Sequence, residues 1–499
     1  TKMAIQVSGT EVISNARALT NIASVDATTV ASMAAAGVGG ASGEQEFVAT
    51  GTLSAGTVVG IRSDGTIGTI LPLNGSKGSF ASDAFWQLAS CALSTNTILV
   101  YWMSNNTGYI NVQVGTVSGT SISFGSKLVI FGNVYGDNSA AVYCPNINKA
   151  VLAWNYGNAT GRAVVLTISG TSVSAGSQFV FNTGYTFGTS LAYDNTNSKL
   201  FISWASSGGA NGNIKAGTIS GTTISMGSAA QFESGSLNST SMAWDANAGK
   251  GVVLWHNNST SYSRVFTVSG TSISYGSVAN LDTNNGGGVI NGTGGSIYDP
   301  ISQKIVAVYL TNSGARAYVG TISGTSISWG SGVYFSSSNQ PTRVATDGSG
   351  NIVVCWSTSV PANLTYYKTF VDGTVLALSS ATELPSGTAT NTNDMCPVFL
   401  TGSDKFVFTW ANNGNAGTAI VVDVVNGGLS GYVGVTAASI ANGATGKVTV
   451  VGGINTNQSG LLVGVPYGVD LNTGALSIGV NVIGRAISST SLYLNVTTV

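Results

Sequence analysis

The sequence is poor in charged residues, and this restricts the classes of protein it can encode. Only 7% of its 499 residues are charged, with 18 Lys or Arg against 19 Asp or Glu and a formal net charge of −1. Soluble domains typically carry about 25% charged residues. Nucleic-acid binders need a concentrated basic surface, and Lys and Arg form no cluster in this sequence. We therefore expect no nucleic-acid partner and a surface solvated by hydroxyl and amide groups.

Long apolar runs, cysteine motifs and histidine are also scarce. The sequence has no apolar run of about 18 residues and no basic segment preceding one, so we expect neither membrane insertion nor a Sec-type export signal. Four cysteines, without CxxC or metal-ligand spacing, are expected to be buried free thiols in strands: Cys91, Cys144, Cys355 and Cys396. His256 is the only histidine, so a Ser-His-Asp or multi-histidine site would depend on it alone. No metal and no cofactor is predicted.

Five nearly identical segments recur along the chain, and they indicate the architecture. Each resembles GTISGTSISWGS, and their central glycines are Gly119, Gly170, Gly221, Gly270 and Gly324, separated by 51, 51, 49 and 54 residues. Two degenerate copies follow around Gly373 and Gly427. An aromatic residue at the end of an apolar run recurs with about the same spacing, at Trp102, Trp154, Trp204, Trp255, Tyr309, Trp356 and Trp410. A third marker follows each repeat glycine, at Phe131, Phe181, Phe232, Leu281, Phe335 and Leu384. The three series predict seven units.

Alternation and turn residues predict four short strands, a to d, in each unit. In the third unit they are residues 190–193, 199–205, 213–220 and 222–232, with Gly221 at positive φ in the c–d hairpin. Four antiparallel strands in a repeat of about 50 residues are typical of a β-propeller blade, with a solenoid as the alternative. The recurring Trp predicts packing between blades. We therefore expect an all-β chain with a seven-bladed β-propeller over residues 82–432.

The flanks lack the repeat and read as short strands broken by Gly-containing turns. Because the two ends of a closed ring lie close together, we expect residues 43–81 and 433–499 to share a small β domain in which the propeller is inserted. A strand within residues 64–73 is expected to complete the first or last blade. Residues 1–42 are too few to form a core and predict an anchor or oligomerisation segment.

Both flanks contain phrases that resemble bacteriophage proteins. The opening GTEVISNARALTNIASVDATT (residues 9–29) resembles the N-terminal segments of phage tail-fibre proteins, and residues 433–494 resemble a β module at the ends of phage structural proteins. The usual Tyr-Tyr pair of that module is replaced here by Pro466, Tyr467 and Gly468. The resemblance implies a virion tail component, assembled in the host cytoplasm, and supplies no active site.

Loops that leave the same end of the units carry the candidate binding residues. In a propeller the b–c and d–a loops share one face, and here they are rich in Asn, Ser and Gly. Tyr135, Tyr185 and Phe187 fall on d–a loops, and Tyr156, Tyr262 and Tyr366 fall at or beside b–c loops. His256 opens a polar segment and is predicted to be a surface-loop residue. Amides, hydroxyls and stacking rings suit neutral glycans.

The acidic residues fit a structural role better than a catalytic one. Asp194, Asp245 and Asp299 lie at one point of successive units, ten residues before the recurring aromatic residue. Repeated acids suit Asx turns, whereas a catalytic carboxylate pair would break the repeat. We therefore predict no enzymatic activity.

Three functions remain open at this point. The first is a tail-fibre or tail-associated virion subunit that recognises a host-surface glycan and forms a trimer or a larger ring with other tail proteins. The second is a purely architectural virion subunit that binds only neighbouring tail proteins. The third is a glycan-degrading propeller enzyme.

Overall fold

The computed structural model describes residues 5–7, 10–13, 43–61, 65–69, 74–82, 85–104, 107–131, 139–156, 160–206, 211–235, 237, 239–257, 260–282, 295–311, 314–337, 342–357, 364–384, 389–412, 416–424, 432–469, 476–478 and 482–495. Within these ranges the chain is all-β, with one helical element, a 3-10 turn at Pro145–Ile147. None of the described segments forms a helix with the length and apolar character needed to span a membrane. The chain divides into a flanking unit, Thr1–Leu73 with Asn426–Val499, and a repeat unit, Asn74–Val425.

Short antiparallel strands open the flanking unit. They are β1 (Ile5–Val7), β2 (Thr10–Ile13), β3 (Glu44–Val48), β4 (Val58–Ile61) and β5 (Ile67–Thr69). β1 pairs with β2, and β4 pairs with β5.

The repeat unit forms seven antiparallel sheets of four or five strands in its described residues. It opens with the short strand β6 (Gly78–Ser79). Sheet 1 contains β7 (Phe85–Ala92), β8 (Thr97–Ser104), β9 (Ile110–Ser118), β10 (Ser121–Phe124) and β11 (Leu128–Phe131). Sheet 2 contains β12 (Ala140–Cys144), β13 (Lys149–Tyr156), β14 (Thr160–Ser169), β15 (Ser172–Ala175) and β16 (Phe179–Asn182).

Sheets 3 to 5 repeat this order. Sheet 3 contains β17 (Thr186–Asp194), β18 (Lys199–Ser206), β19 (Gly212–Ser220), β20 (Thr223–Met226) and β21 (Ala230–Glu233). Sheet 4 contains β22 (Ser239–Asp245), β23 (Lys250–His256), β24 (Ser261–Ser269) and β25 (Ser272–Asp282). Sheet 5 contains β26 (Ser296–Asp299), β27 (Lys304–Thr311), β28 (Gly314–Ser323), β29 (Ser326–Trp329) and β30 (Val333–Ser336).

The last two sheets are more divergent. Sheet 6 contains β31 (Thr342–Thr346), β32 (Ile352–Ser357), β33 (Leu364–Asp372) and β34 (Val375–Glu383). Sheet 7 contains β35 (Ala389–Leu400), β36 (Lys405–Asn412) and β37 (Gly417–Val422), together with β6.

Each sheet follows the predicted a-b-c-d order. The strands predicted for the third unit differ from those observed in one respect. The outer strand predicted over residues 222–232 is interrupted, and β20 and β21 pair with opposite ends of β19. We call the end of a sheet where strand b leads to strand c its b–c end, and the opposite end its a–b end. Strand d runs back to the b–c end before the chain enters the next sheet.

The first strands of successive sheets contact one another in chain order, and the last returns to the first. β7, β12, β17, β22, β26, β31 and β35 each contact the next, and β35 contacts β7. Apolar clusters fill the spaces between neighbouring sheets, as between β13 and β18, whose Val151 and Ile202 share one cluster. Side chains alternate along each strand, so its two faces pack against two different neighbouring sheets.

The recurring tryptophan is buried between sheets, as predicted. Trp204 of β18 lies with its ring centroid 5.3 Å from that of Phe181, which belongs to the outer strand of sheet 2. Phe232 and Trp255 repeat this contact at 5.1 Å, and Phe335 and Trp356 repeat it at 5.5 Å. The second and third sequence markers are thus two halves of one inter-sheet contact.

The repeated glycines perform two different tasks. Gly221 has a φ of +60°, and the equivalent glycines of the other hairpins have nearly the same value, which confirms the predicted c–d turn. The second glycine of the motif contacts the following sheet: a Cβ added at Gly176 would overlap Thr222 of the next hairpin. The same relation joins further pairs, Gly125 with Thr171, Gly227 with Thr271, Gly276 with Thr325 and Gly330 with Thr374. The motif therefore encodes both a tight turn and a close contact with the hairpin of the next sheet.

Sheet 7 is completed from the N-terminal side of the repeat unit. β6 pairs with β37, with Ser79 opposite Thr418, and Asn74 forms a bridge with Val422. The prediction of a completing N-terminal strand is confirmed by this pairing. Its predicted position at residues 64–73 is wrong, because β5 lies in that range and pairs with β4 in the flanking unit.

Residues 74–80 also reproduce the outer-strand contacts of the other sheets. The Phe80 ring lies 5.3 Å from that of Trp102 in sheet 1, with an interplanar angle of 57°, the same geometry as Phe181 on Trp204. A Cβ at Gly75 would overlap the carbonyl oxygen of Thr120 in the first hairpin. This segment therefore joins sheet 7 to sheet 1.

The acids at the a–b end form the predicted Asx turns. The Asp194 carboxylate accepts hydrogen bonds from the backbone N–H groups of Thr196 and Asn197, at 2.9 and 3.3 Å. Asp245 and Asp299 bind the backbone of their own turns in the same way. Asp347 of sheet 6 adds a further example.

The four cysteines are free and lie in strands, as predicted. Cys144, Cys355 and Cys396 are buried, whereas Cys91 is only partly buried. Among the described residues, no three His, Cys, Asp or Glu side chains are placed to hold a metal ion.

The C-terminal part of the flanking unit adds strands to both of its larger sheets. They are β38 (Tyr432–Thr436), β39 (Thr445–Thr449), β40 (Ile454–Asn455), β41 (Pro466–Val469), β42 (Leu476–Ile478), β43 (Val482–Ala486) and β44 (Leu492–Leu494). β3 pairs with β39 and β4 with β38, so strands from both ends of the sequence share one sheet. The other sheet has the order β40-β44-β43-β41-β42.

Candidate functional site

Six of the seven predicted binding residues lie at the b–c ends of their sheets, but they are spread over four sheets. Tyr156 belongs to sheet 2, Tyr185 and Phe187 to sheet 3, His256 and Tyr262 to sheet 4, and Tyr366 to sheet 6. Tyr135 lies outside the described residues. The structure brings together one predicted pair of rings, Tyr185 and Phe187, whose centroids are 5.7 Å apart.

Tyr185 presents an aromatic face to solvent on a segment that hydrogen bonds hold in place. The side chain is 38% exposed and lies immediately before β17. The Asn182 amide donates hydrogen bonds to the Gly184 carbonyl at 2.9 Å and to the Thr186 hydroxyl at 2.8 Å. Phe187 supports the Tyr185 ring from within β17. The d–a connection thus holds an exposed ring over a rigid strand.

Tyr156 is half-buried, and a cation covers its ring. The Arg162 guanidinium lies 3.6 Å from the Tyr156 ring centroid, and its Nη1 donates to Gln178 Oε1 at 2.5 Å. This cation–π contact occupies the aromatic face that a sugar ring would otherwise use.

Tyr262 and Tyr366 are directed into the protein. Tyr262 is half-buried and stacks on Trp255, with centroids 5.7 Å apart and an interplanar angle of 22°. Tyr366 is 1% exposed and packs against Phe408 of sheet 7 at 5.2 Å. Burial raises the pKa of Tyr366, and a hydrogen bond with Thr382 acts in the opposite direction. Tyr366 lies beside its b–c loop, as predicted, but the expectation that its ring is accessible there is wrong, because the ring is buried against sheet 7.

His256 is a buried strand residue, so its predicted surface-loop position is also wrong. It is the last residue of β23, is 3% exposed, and pairs with Ser239 on one side and Ser261 on the other. Among the residues that the structure describes, none forms a hydrogen bond with Nδ1 of His256. Burial lowers the pKa of His256 below its ordinary value, while a hydrogen bond with the Thr260 backbone acts in the opposite direction.

The sequence does not predict the exposed ring of Tyr109 at the b–c end of sheet 1. Tyr109 precedes β9 in sheet 1 and is 45% exposed, with its backbone N–H bound to the Thr107 hydroxyl at 3.3 Å. It lies seven residues after Trp102, the same distance that separates Tyr262 from Trp255. Spacing from the repeat tryptophan could therefore have identified it.

Comparison with known proteins leaves the chain without an assigned family. No family model matches the sequence, and no curated protein matches it. A structure from Lactobacillus plantarum aligns at a TM-score of 0.45 and 11% identity, covering 69% of this chain and 97% of that one. A Bacteroides uniformis protein provisionally named 6-phosphogluconolactonase aligns at 0.42 and 8% identity, covering 58% and 82%. A triple arginine-to-alanine mutant of AofleA from Arthrobotrys oligospora aligns at 0.41 and 12% identity, covering 65% and 92%. At these scores none of the likenesses carries a functional assignment.

Proposed function

We propose that this chain is a non-enzymatic structural subunit of a phage virion, a tail fibre or tail-associated protein, with its repeat unit arranged as a seven-bladed β-propeller. The cyclic order of the contacts between first strands supports a closed ring. The strand that the N-terminal segment lends to sheet 7 supports it as well, because ring closure removes open sheet edges. In this arrangement the small β domain of the flanking unit carries the propeller as an insertion.

The b–c end of the repeat unit is our proposed surface for a neutral host glycan. The observation that carries this proposal is the pair Tyr185 and Phe187, an exposed ring with a second ring behind it. Aromatic faces pack on the C–H faces of sugar rings, while neighbouring amides and hydroxyls bind sugar hydroxyls. Tyr109 offers a second exposed ring at the same end of a sheet. Loops on a rigid scaffold are common sites of recognition.

Glycan binding is tested with a Tyr185→Ala variant and a matched control. The intact protein is applied to immobilised surface polysaccharide and to a neutral glycan array. Because an aromatic contact contributes about 0.5–1.5 kcal/mol, we expect Tyr185→Ala to bind about two- to tenfold more weakly. Phe370→Ala, which removes a 56% exposed ring near the c–d hairpin of sheet 6, at the opposite end, is the control and should bind like wild type. Equal loss in both variants would argue against a site at Tyr185.

The virion assignment has its own test, independent of glycan binding. Mass spectrometry of purified phage particles should detect peptides of this chain in the tail fraction. Self-association through residues 1–42 is part of the same proposal, and light scattering should show a smaller particle when residues 1–40 are deleted. Absence of the chain from purified particles would contradict a virion role, whereas binding to particles but not to glycans would favour the architectural alternative.

A further inference from the structure

Three buried polar side chains form a row across the b–c end of sheet 4. Ser239, His256 and Ser261 are direct cross-strand neighbours on β22, β23 and β24. All three are buried, and within the described ranges Ser239 Oγ, His256 Nδ1 and Ser261 Oγ have no hydrogen-bond partner. We call these residues the histidine row. Buried polar atoms normally have partners, so three without one in a single row mark a locally unfavourable arrangement.

The histidine row faces sheet 5. Val252 and Leu254, which alternate with His256 along β23, pack in one apolar cluster with Ile305 and Ala307 of β27. Residues on the same face of β22 and β24 also contact sheet 5. Ser241 Oγ lies 2.8 Å from Ser296 Oγ, and Trp329 Nε1 donates a hydrogen bond to Ser263 Oγ at 2.8 Å. The row therefore belongs to the junction between sheets 4 and 5.

The carboxylates whose side chains the structure describes at this junction lie at its a–b end, opposite to His256. Asp245 and Asp299 lie at the a–b ends of β22 and β26, where their carboxylates bind backbone N–H groups. Lys250 and Lys304 begin β23 and β27 at that same a–b end, and Tyr298 is next to Asp299. Tyr309 of β27 packs in the cluster between sheets 4 and 5. Arg316 of β28 is its direct cross-strand partner and therefore lies on the same face, toward sheet 4.

Tyr318 of β28 packs in the same cluster, and further titratable groups belong to sheet 4 itself. Arg264 and Tyr275 lie on β24 and β25, where the guanidinium donates to the Gly276 and Phe232 carbonyls and lies 5.1 Å from the Tyr275 ring. Tyr262 stacks on Trp255. Asp282 holds the fourth register position of the row, opposite Ser261.

We propose that acidification loosens the junction between sheets 4 and 5, and that protonation of His256 is the event that loosens it. The direct cross-strand neighbours of the imidazole are the two uncharged side chains of Ser239 and Ser261, so a proton on His256 favours conformations in which the end of β23 reaches water. Since sheets 4 and 5 both contribute to the b–c end, the geometry of that end becomes pH-dependent. This inference does not depend on the proposed glycan or virion role.

The sign of the effect follows from linkage. In an opened junction His256 titrates near its ordinary pKa of about 6.5, whereas burial holds the pKa below that value in the closed junction. The closed junction is therefore fully favoured above about pH 6.5 and loses stability as the pH falls toward the lower pKa. Between those two values the population of the open form rises by up to about tenfold per pH unit.

Hydrogen exchange of the full chain tests the proposal. Exchange rates, corrected for the intrinsic effect of pH, are compared at about pH 7.5 and 5.5, a range that spans the ordinary histidine pKa. Amides of β22 to β24 should lose protection at the lower pH in the wild type, and His256→Asn should abolish this response. Asp282→Asn should keep it, since the carboxylate is not the group invoked. Retention of the response in His256→Asn, or its loss in Asp282→Asn, overturns the proposal.

The single histidine allows a second measurement that needs no variant. Imidazole nitrogen signals in a ¹⁵N NMR titration of the wild type report on His256 alone. We expect the imidazole to stay neutral at pH 6.5 and to protonate at lower pH, together with the loss of amide protection. An imidazole that is already charged at pH 6.5, with unchanged protection, contradicts the proposal even if the variant fails to fold.

Discussion

Trp154 is among the largest side chains that the repeat unit buries completely, and it lies in the space between sheets 1 and 2. Replacement by alanine leaves a cavity that rigid neighbouring sheets cannot fill. We expect Trp154→Ala to lower the free energy of unfolding by about 3–5 kcal/mol, measured by chemical denaturation. Tyr334→Ala, at an exposed ring, should change it by less than about 0.5 kcal/mol. Equal stability of Trp154→Ala and wild type would show that the residue does not pack between sheets.

Cysteine reactivity offers a second prediction for single residues. Burial raises the pKa of the Cys144 thiol to about 12 and raises those of Cys91 and Cys355 as well. Thiolate is the reactive form, so at about pH 8 these side chains should react with iodoacetamide far more slowly than a free cysteine. Mass spectrometry should find them unmodified in the native protein and alkylated in urea. Rapid labelling of Cys144 in the native state would contradict its burial.

Residue roles were predictable where local chemistry alone decides them. The hairpin glycines need a positive φ, and the acids at the a–b end need only their own turn, so both were recognised from sequence. The loop position predicted for His256 is wrong because strand ends depend on cross-strand partners: Ser239 and Ser261 extend the pairing to His256. The ring of Tyr366 is buried because it packs against Phe408. Those partners lie on other strands, and the sequence pattern does not carry the register.

Residues 74–80 form the element on which completion of sheet 7 depends. A side chain at Gly75 would overlap the Thr120 backbone of sheet 1, and backbone cannot move aside as a flexible side chain can. We expect Gly75→Val to reduce stability by about 1–3 kcal/mol, the range measured for overpacking, and to increase amide exchange in β37. Lys77→Ala, two residues away at an exposed position, is the control. Unchanged protection of β37 in Gly75→Val would show that this contact does not hold the segment.

The completing strand has a sequence signal outside the complete repeats. Gly75-Ser76-Lys77 precedes Gly125-Ser126-Lys127 by 50 residues, and Phe80 precedes Phe131 by 51. The segment thus continues the outer-strand pattern one period upstream, without the strands a to c that normally accompany it. Residues 64–73, where the completing strand is predicted, show alternation but lack the glycine and phenylalanine of this pattern.

At the scale of the whole molecule, the boundaries of the repeat unit decide which fragments fold. The structure begins this unit at Asn74, whereas the sequence predicts its start at residue 82. We expect the fragment Asn74–Val425 to unfold in one cooperative transition. A fragment that starts at residue 82 lacks β6 and Phe80 and should melt at a lower temperature. Calorimetry measures the melting temperatures of the two fragments. Identical melting temperatures would favour the boundary at residue 82 that the sequence predicts.

All-β architecture and the repeat could be predicted at this scale, because composition and periodicity are properties of the whole chain. Which candidate binding residues lie together could not be predicted. They belong to four separate sheets, and the repeat does not encode the conformations of their loops. Tyr109 and Tyr185 illustrate this limit: both are exposed at b–c ends, yet only the second stands out from its local sequence.

The pairing of β6 with β37 also affects how the protein is made. Ser79 donates to the Gly417 carbonyl across 338 residues, so the first strand of the repeat unit leaves the ribosome long before its partner is translated. At about 5–20 residues per second this delay is about 20–70 s. During that time the unpaired N-terminal segment is available to other nascent chains on the same messenger RNA. Exchange of this segment between copies would yield swapped pairs, and slower elongation would lengthen the interval in which they form.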